Sequence, residues 1–250
     1  MLSFADSVER SSPVLNLRLT HDSSDEPGLA AGPNRRPAGM AVRTRVKVCG
    51  LTRPEDALAA ARFGADAIGL IFYPPSPRGV DIELARNVRK ALPPFVTVVG
   101  VFVDPQAEFL ERAIRQVALD LVQFHGREPP EFCQACSRPY VKAVRVRPGI
   151  DLHQVARRYS SARALMLDSF EPGKHGGTGK TFDWSLIPTD LELPFILAGG
   201  LTPGNVADAV ASVSPFAVDA NGGVEASPGI KDHLRIEAFI REVNRGQTSQ

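Results

Sequence analysis

From Arg45 onward the chain alternates eight times between short runs rich in Val, Ile, Leu and Ala and longer amphipathic stretches. No other feature constrains the fold as much. Short β-branched runs bounded by turn residues read as parallel strands buried on both faces. Strands are expected over Val46–Cys49, Ala67–Phe72, Thr97–Val103, Leu121–Phe124, Val141–Val144, Ala164–Leu167, Phe195–Ala198 and Ala217–Asp219. Helices are expected over Pro54–Phe63 and from near Asp81, Pro105, Glu128, Asp151, Phe182, Thr202 and Ile230, the one near Phe182 being short. Thr52 is the expected N-cap of the first helix, with Pro54 in its first turn. Eight βα units close a parallel barrel, so residues 44–250 are expected to form one α/β domain, a (β/α)8 TIM barrel. A doubly wound sheet is the alternative, but it usually has fewer strands.

Composition narrows the function classes. The 250 residues are 43% apolar and 23% charged, with a net charge of +1, which gives no electrostatic case for nucleic acid or a membrane surface. No apolar run approaches the ~18 residues of a membrane span. The five histidines show no zinc-ligand spacing. Three cysteines, an odd number, suit a reduced, cytoplasmic protein. Cys133 and Cys136 form a CxxC, either a redox pair or two small apolar residues on a helix; the second reading is the expectation. Residues 1–43 carry Ser, Pro, Asp, Gly and Arg without periodicity and are expected to be a disordered extension. They lack the basic start and apolar stretch of a signal peptide, and Asp6, Glu9, Asp22, Asp25 and Glu26 do not suit a transit peptide. Met40 is an alternative start.

In such barrels the chemistry sits at the C-terminal ends of the strands and in the loops that follow. Strand one ends Lys47-Val48-Cys49-Gly50. Alternation puts Lys47 and Cys49 on one face, where a cation favours a thiolate; a small core cysteine is the structural alternative. After strand two, the proline-stiffened Tyr73–Gly79 segment holds Arg78, whose planar fork matches a carboxylate or phosphate. Strand four ends in His125, a proton shuttle or a structural histidine. Strand six ends in Asp168, placed as a catalytic acid or as a loop cap. The glycine-rich Lys174–Lys180 that follows could serve as a lid. Strands seven and eight lead into Gly199-Gly200 and Gly222-Gly223. Glycine loops in these two units are the usual phosphate site of the barrel.

The motifs Lys47-Val48-Cys49-Gly50-Leu51-Thr52, Ser76-Pro77-Arg78, Val122-Gln123-Phe124-His125-Gly126, Gly176-Gly177-Thr178-Gly179, Leu197-Ala198-Gly199-Gly200-Leu201 and Asn221-Gly222-Gly223-Val224-Glu225 occur in this order. Together they resemble phosphoribosylanthranilate isomerase of tryptophan biosynthesis, from Val46 to about Asn244. The resemblance implies an Amadori rearrangement of N-(5-phosphoribosyl)anthranilate. It implies Cys49 as general base, Asp168 as general acid and Arg78 on the anthranilate carboxylate. It also implies phosphate on Gly199, Gly200, Gly222 and Gly223, and a substrate contact at Asp219. A serine often stands beside the last glycine of the final loop, where this chain has Gly222.

That chemistry needs Asp168 to hold a proton while Cys49 gives one up. Lys47 is expected to lower the Cys49 pKa. No cofactor or metal is expected, since the substrate nitrogen is the electron sink. The expected partner is a small phosphorylated substrate, with no nucleic acid or membrane, and the chain is expected to be a monomer or homodimer. Two rivals stay open: an isomerase of the histidine pathway or of both pathways, and a silent phosphate-binding barrel. Histidine-pathway enzymes carry an aspartate where Cys49 stands, and a silent barrel has no need of Cys49, Asp168 and Arg78 together.

Overall fold

A computed structural model describes residues 43–169 and 181–248. The expectations for residues 1–42, including Met40 as a start, and for the glycine-rich Lys174–Lys180 lie outside the described residues. Eight parallel strands form a closed barrel in sequence order. They are β1 (Arg45–Cys49), β2 (Ala67–Ile71), β3 (Thr97–Phe102), β4 (Leu121–Phe124), β5 (Tyr140–Val146), β6 (Leu165–Ser169), β7 (Phe195–Leu197) and β8 (Ala217–Ala220). The helices are α1 (Pro54–Phe63), α2 (Ile82–Lys90), α3 (Ala107–Val117), α4 (Pro130–Gln134), α5 (Leu152–Arg158), α6 (Val206–Val213) and α7 (His233–Thr248). Between β6 and β7 the described helical structure is a 3-10 turn, Trp184–Leu186, the short element expected near Phe182.

Strand alternation divides the core. Outward residues such as Val48, Ile68, Phe102 and Leu167 pack against the helices, whose apolar faces supply Ile114, Phe239 and Val243. Inward residues Val141, Ala164, Met166, Ile196 and Ala217 fill the barrel, and Cys49, Ile71 and Val101 form a small cluster at its mouth. No described helix is long and apolar enough to cross a membrane.

Two of the helix starts behave as short acidic caps should: Asp81 accepts from the Leu84 amide at 2.8 Å and Asp151 from the Gln154 amide at 2.9 Å. Thr52 does not cap α1. The N-cap is Arg53, without a side-chain cap, and its guanidinium grips Asp56 at 2.9 and 2.7 Å. Thr52 Oγ1 instead donates to the Gly229 carbonyl at 2.6 Å, tying the β1 loop to the segment after β8. That segment holds an unforeseen antiparallel hairpin, β9 (Glu225–Ser227) with β10 (Ile230–Lys231); runs this short show no period. The three cysteines are free. Cys133 is buried, its thiol pushed up to about 12 by burial, and it donates to the Glu128 carbonyl at 3.9 Å. It sits in the core as the apolar reading expected.

A buried ion pair braces the loop after β4. Lys142 Nζ donates to Glu128 Oε2 at 2.8 Å and to the Gly126 carbonyl at 2.7 Å. Glu128 Oε1 in turn accepts from the Asp104 and Gly126 amides at 2.9 and 3.0 Å. Both side chains are nearly inaccessible, so removing one strands the other charge. Lys142→Met is expected to cost about 3 kcal/mol in urea unfolding, with Lys142→Met/Glu128→Leu recovering most of the loss. A single variant as stable as the parent would contradict this.

Candidate active site

At the C-terminal ends of the strands lies a cavity of about 400 Å³. Its lining brings together the site residues that the resemblance implied, Cys49, Arg78, Asp168, Asp219 and the glycines 199, 200, 222 and 223, and with them His125.

One side of the cavity is built on β1 and β8. These strands pair with Lys47 opposite Asp219, and Lys47 Nζ meets Asp219 Oδ1 at 2.8 Å. Both side chains are buried. Burial alone would pull the Lys47 ammonium down, but Asp219 and Cys49 outweigh it and push it up to about 12. Lys47 also acts on the Cys49 thiol, as their shared strand face required. Lys47 pulls the thiol in the expected direction, but the net shift is upward. Burial is the largest influence on Cys49 and raises its pKa; Lys47 pulls it down, and Asp219 pushes it up again. The cation is matched by a carboxylate, so desolvation prevails.

Gly69 on β2 makes this arrangement fit. A Cβ there would lie 2.6 Å from Cys49 Sγ and 3.1 Å from Lys47 Nζ, inside van der Waals contact. A glycine inside a strand often marks such a close approach.

The other side is built on β4 and β6. Asp168 is 6% exposed. Its Oδ1 accepts from the Ser169 amide at 2.8 Å, and its Oδ2 lies 3.2 Å from His125 Nε2. The opposite ring nitrogen, His125 Nδ1, lies 2.9 Å from Gln123 Nε2. His125 is also fixed through its backbone, whose amide donates to the Phe102 carbonyl at 2.8 Å.

The glycine loops after β7 and β8 pack backbone against backbone. A Cβ at Gly223 would sit 1.9 Å from the Leu201 carbonyl oxygen, so no side chain is possible there. Gly199 and Gly200 hold φ of 80° and 65°, the left-handed region that favours glycine. Gly222 differs: a Cβ would meet Arg78 Nη2 at 3.5 Å, so the family's serine would fit. Arg78 does not present its whole fork to the cavity. Its Nε and Nη2 donate to Glu225 Oε1 and Oε2 at 2.8 and 2.6 Å. Lys231 Nζ donates to the same Oε1 at 2.8 Å and to Asn221 Oδ1 at 3.1 Å. Burial would raise the Glu225 carboxyl, but Arg78 and Lys231 together hold it below its ordinary value.

The family model described as N-(5'phosphoribosyl)anthranilate (PRA) isomerase matches residues 46–242. The chain belongs to this family. The N-(5'-phosphoribosyl)anthranilate isomerase of Pseudomonas savastanoi pv. phaseolicola is 56% identical over 200 residues, 80% of this chain and 97% of the relative. A crystal structure of phosphoribosyl anthranilate isomerase in complex with reduced 1-(o-carboxyphenylamino)-1-deoxyribulose 5-phosphate superposes with a TM-score of 0.72 at 41% identity, over 80% of this chain and 98% of that one. A structure of monomers generated from the dimeric Thermotoga maritima enzyme superposes with a TM-score of 0.71 at 40% identity, again over 80% and 98%.

In this isomerase fold, the sequence pointed to the residues that face the cavity and to Lys47 and His125 beside two of them, but not to the parts played by Gly69, Glu225 and Lys231. Gly69 carries no side chain to attract notice, though a glycine amid Ala67-Ile68-Leu70-Ile71 was a usable signal. Glu225 and Lys231 need the hairpin, which no period announces.

Two outcomes follow from the β1 side. With Cys49 pushed above its ordinary 9.0, the neutral thiol is the resting form below that pH. Thiolate absorbance, taken as the difference between the ligand-free enzyme and Cys49→Ser, is therefore expected to develop only above pH 9. A full thiolate signal by about pH 8 would overturn the assigned direction. Gly69→Ala is expected to displace the thiol and lower kcat by about 10²-fold with KM little changed; unimpaired kcat would show that the site tolerates the shift.

Proposed function

We propose that the chain catalyses the Amadori rearrangement of N-(5-phosphoribosyl)anthranilate to 1-(2-carboxyphenylamino)-1-deoxyribulose 5-phosphate in tryptophan biosynthesis, with Cys49 as general base and Asp168 as general acid. The observation that carries the roles is that Cys49 and Asp168 line one cavity from separate strands, β1 and β6, with the paired glycine loops in its wall.

The geometry translates into chemistry as follows. Backbone amides of Gly199, Gly200, Gly222 and Gly223 hold the phosphate, since glycines let an anion approach closely. Asp168 gives its proton to the furanose oxygen as the C1–O bond breaks, leaving a Schiff base. Its positive nitrogen acidifies the neighbouring carbon. The same charge favours the Cys49 thiolate, which is disfavoured in the ligand-free cavity. Cys49 removes the carbon-bound proton, and the enolamine tautomerises to the ketose. Arg78 retains the edge of its guanidinium not engaged by Glu225 for the anthranilate carboxylate. Asp219 acts on the substrate from the cavity floor, through the charge it shares with Lys47. No resident cofactor enters these steps, because the substrate supplies the electron sink.

We place the chain in the cytoplasm, in keeping with three free cysteines, with the small phosphorylated substrate as its ligand. It works as a monomer or a homodimer; Phe95, fully exposed at φ 68°, is an apolar feature available for self-contact.

The test is a coupled assay with freshly prepared phosphoribosylanthranilate, run beside the histidine-pathway aminoaldose. Turnover of the first substrate is expected. Cys49→Ser and Asp168→Asn are each expected to lose at least about 10²-fold in kcat while KM stays within about twofold. Near-normal turnover in either variant would remove that residue from its role.

A further inference from the structure

Gln123 lies at the centre of a small hydrogen-bond problem. It is 1% exposed, on the inner face of β4 with His125. Its Nε2 contacts His125 Nδ1 at 2.9 Å, and its Oε1 is buried without a hydrogen-bond partner among the described residues. Buried amide oxygens are seldom left so. Among the described residues the amide is therefore tethered through the imidazole alone, and no donor there holds Oε1 in one orientation.

The imidazole ties this amide to the acid. A neutral imidazole has one N–H and one lone pair. With Gln123 donating to Nδ1, the hydrogen must sit on His125 Nε2, which then donates to an ionised Asp168. A proton taken from water goes to His125 Nδ1, and the proton shared with Asp168 then passes from Nε2 to Oδ2, which reverses these bonds. The Asp168 O–H now donates to His125 Nε2, and Nδ1 carries the hydrogen and needs an acceptor. Turning the Gln123 amide by 180° supplies one and gives Oε1 a partner, while Nε2 takes the unpartnered place. A carboxamide is both donor and acceptor at nearly equal shape, so it can serve both states.

We propose that Gln123 is a positioning residue for the acid step: by turning its amide it supports both tautomers of His125, and so lets Asp168 hold the proton that ring opening uses. The inference rests on Asp168 acting as the acid. In each cycle the pair takes one proton from water and passes it to the furanose oxygen, which also receives the electrons of the breaking C1–O bond.

Other charges face the pair from neighbouring strands and are untouched by changes at Gln123. Asp219 on β8 interacts with both Asp168 and His125, and is itself held by Lys47 on β1. Arg145 on β5 is the register partner of Asp168. The Lys142–Glu128 pair and Asp104, after β3, brace the loop carrying His125 and Gly126.

The test follows the ¹⁵N resonances of the His125 ring across pH in the ligand-free parent, Gln123→Glu and Gln123→Met, with kcat and KM measured on each. The parent is expected to change from the Nε2–H form to the Nδ1–H form as the pair takes up its proton. Gln123→Glu, always an acceptor, is expected to hold Nδ1–H throughout. Gln123→Met, neither donor nor acceptor, is expected to lose the tautomer preference and at least about tenfold in kcat, with KM within about twofold. Ring signals with the same pH response in all three proteins would overturn the proposal, even if kcat fell, because that fall would be structural. If Gln123→Met does not fold, the tautomer in Gln123→Glu decides alone. Should Asp168→Asn retain turnover, the acid assignment fails and this inference with it. An inactive Asp168→Asn with unchanged ring signals sinks only the inference.

Discussion

The barrel closes where β8 returns to β1, and at that seam a lysine meets an aspartate. Lys47 and Asp219 are Cα partners in the ladder and form a 2.8 Å ion pair shielded from water. A charge in such a place is tolerable only with its partner, so the pair specifies register as well as closure. A one-residue slip of β1 would turn Lys47 out into the layer of Val48, Ile68 and Phe239 between sheet and helices. It would also carry Cys49 away from the cavity. The seam thereby fixes the barrel and delivers the thiol in one step.

The same pair governs the electrostatics of the mouth. A lone buried lysine would draw out the thiolate, leaving a reactive anion in the resting enzyme. Asp219 matches that cation, and the buried thiol stays above its ordinary value. On the proposed reaction this makes the base conditional. The positive nitrogen of the opened substrate is the charge the empty cavity lacks, so the thiolate is favoured only when a carbon acid stands beside it. Lys47 then serves less to ionise Cys49 than to hold it, through a contact that Gly69 alone leaves room for.

Much of the barrel was legible because strand period and helix caps are local signals. The eight inner strands and the helix starts near Asp81 and Asp151 depend on residues within a few positions of one another. Thr52 failed as a cap because a distant group, the Gly229 carbonyl, takes its hydroxyl, while Arg53 binds Asp56. The direction of the Cys49 shift was misread for a related reason. Lys47, two residues from the thiol, is visible in the sequence, whereas its pairing with Asp219, 172 positions on from Lys47, and the depth of burial are not. Arg78 was found as a cavity residue, yet its bidentate partner Glu225 lies 147 positions on. Sequence distance hid the partners and left their targets in view.

These hidden partners share a logic. Each functional group at the mouth is held by a neighbouring group: Cys49 by Lys47, Arg78 by Glu225, and Asp168 by His125 with Gln123 beyond it. Strand alternation provides this depth at no extra structural cost, since residues two apart on a strand point the same way. Lys47 stands behind Cys49 on β1, and Gln123 on β4 stands behind His125, the residue that follows the strand. A loop offers no such series, and Arg78, on a loop, needs the hairpin to bring Glu225 and Lys231 to it. The hairpin is thus the loop-borne counterpart of what the strands provide through their pleat, and its two short strands are explained by the arginine they orient.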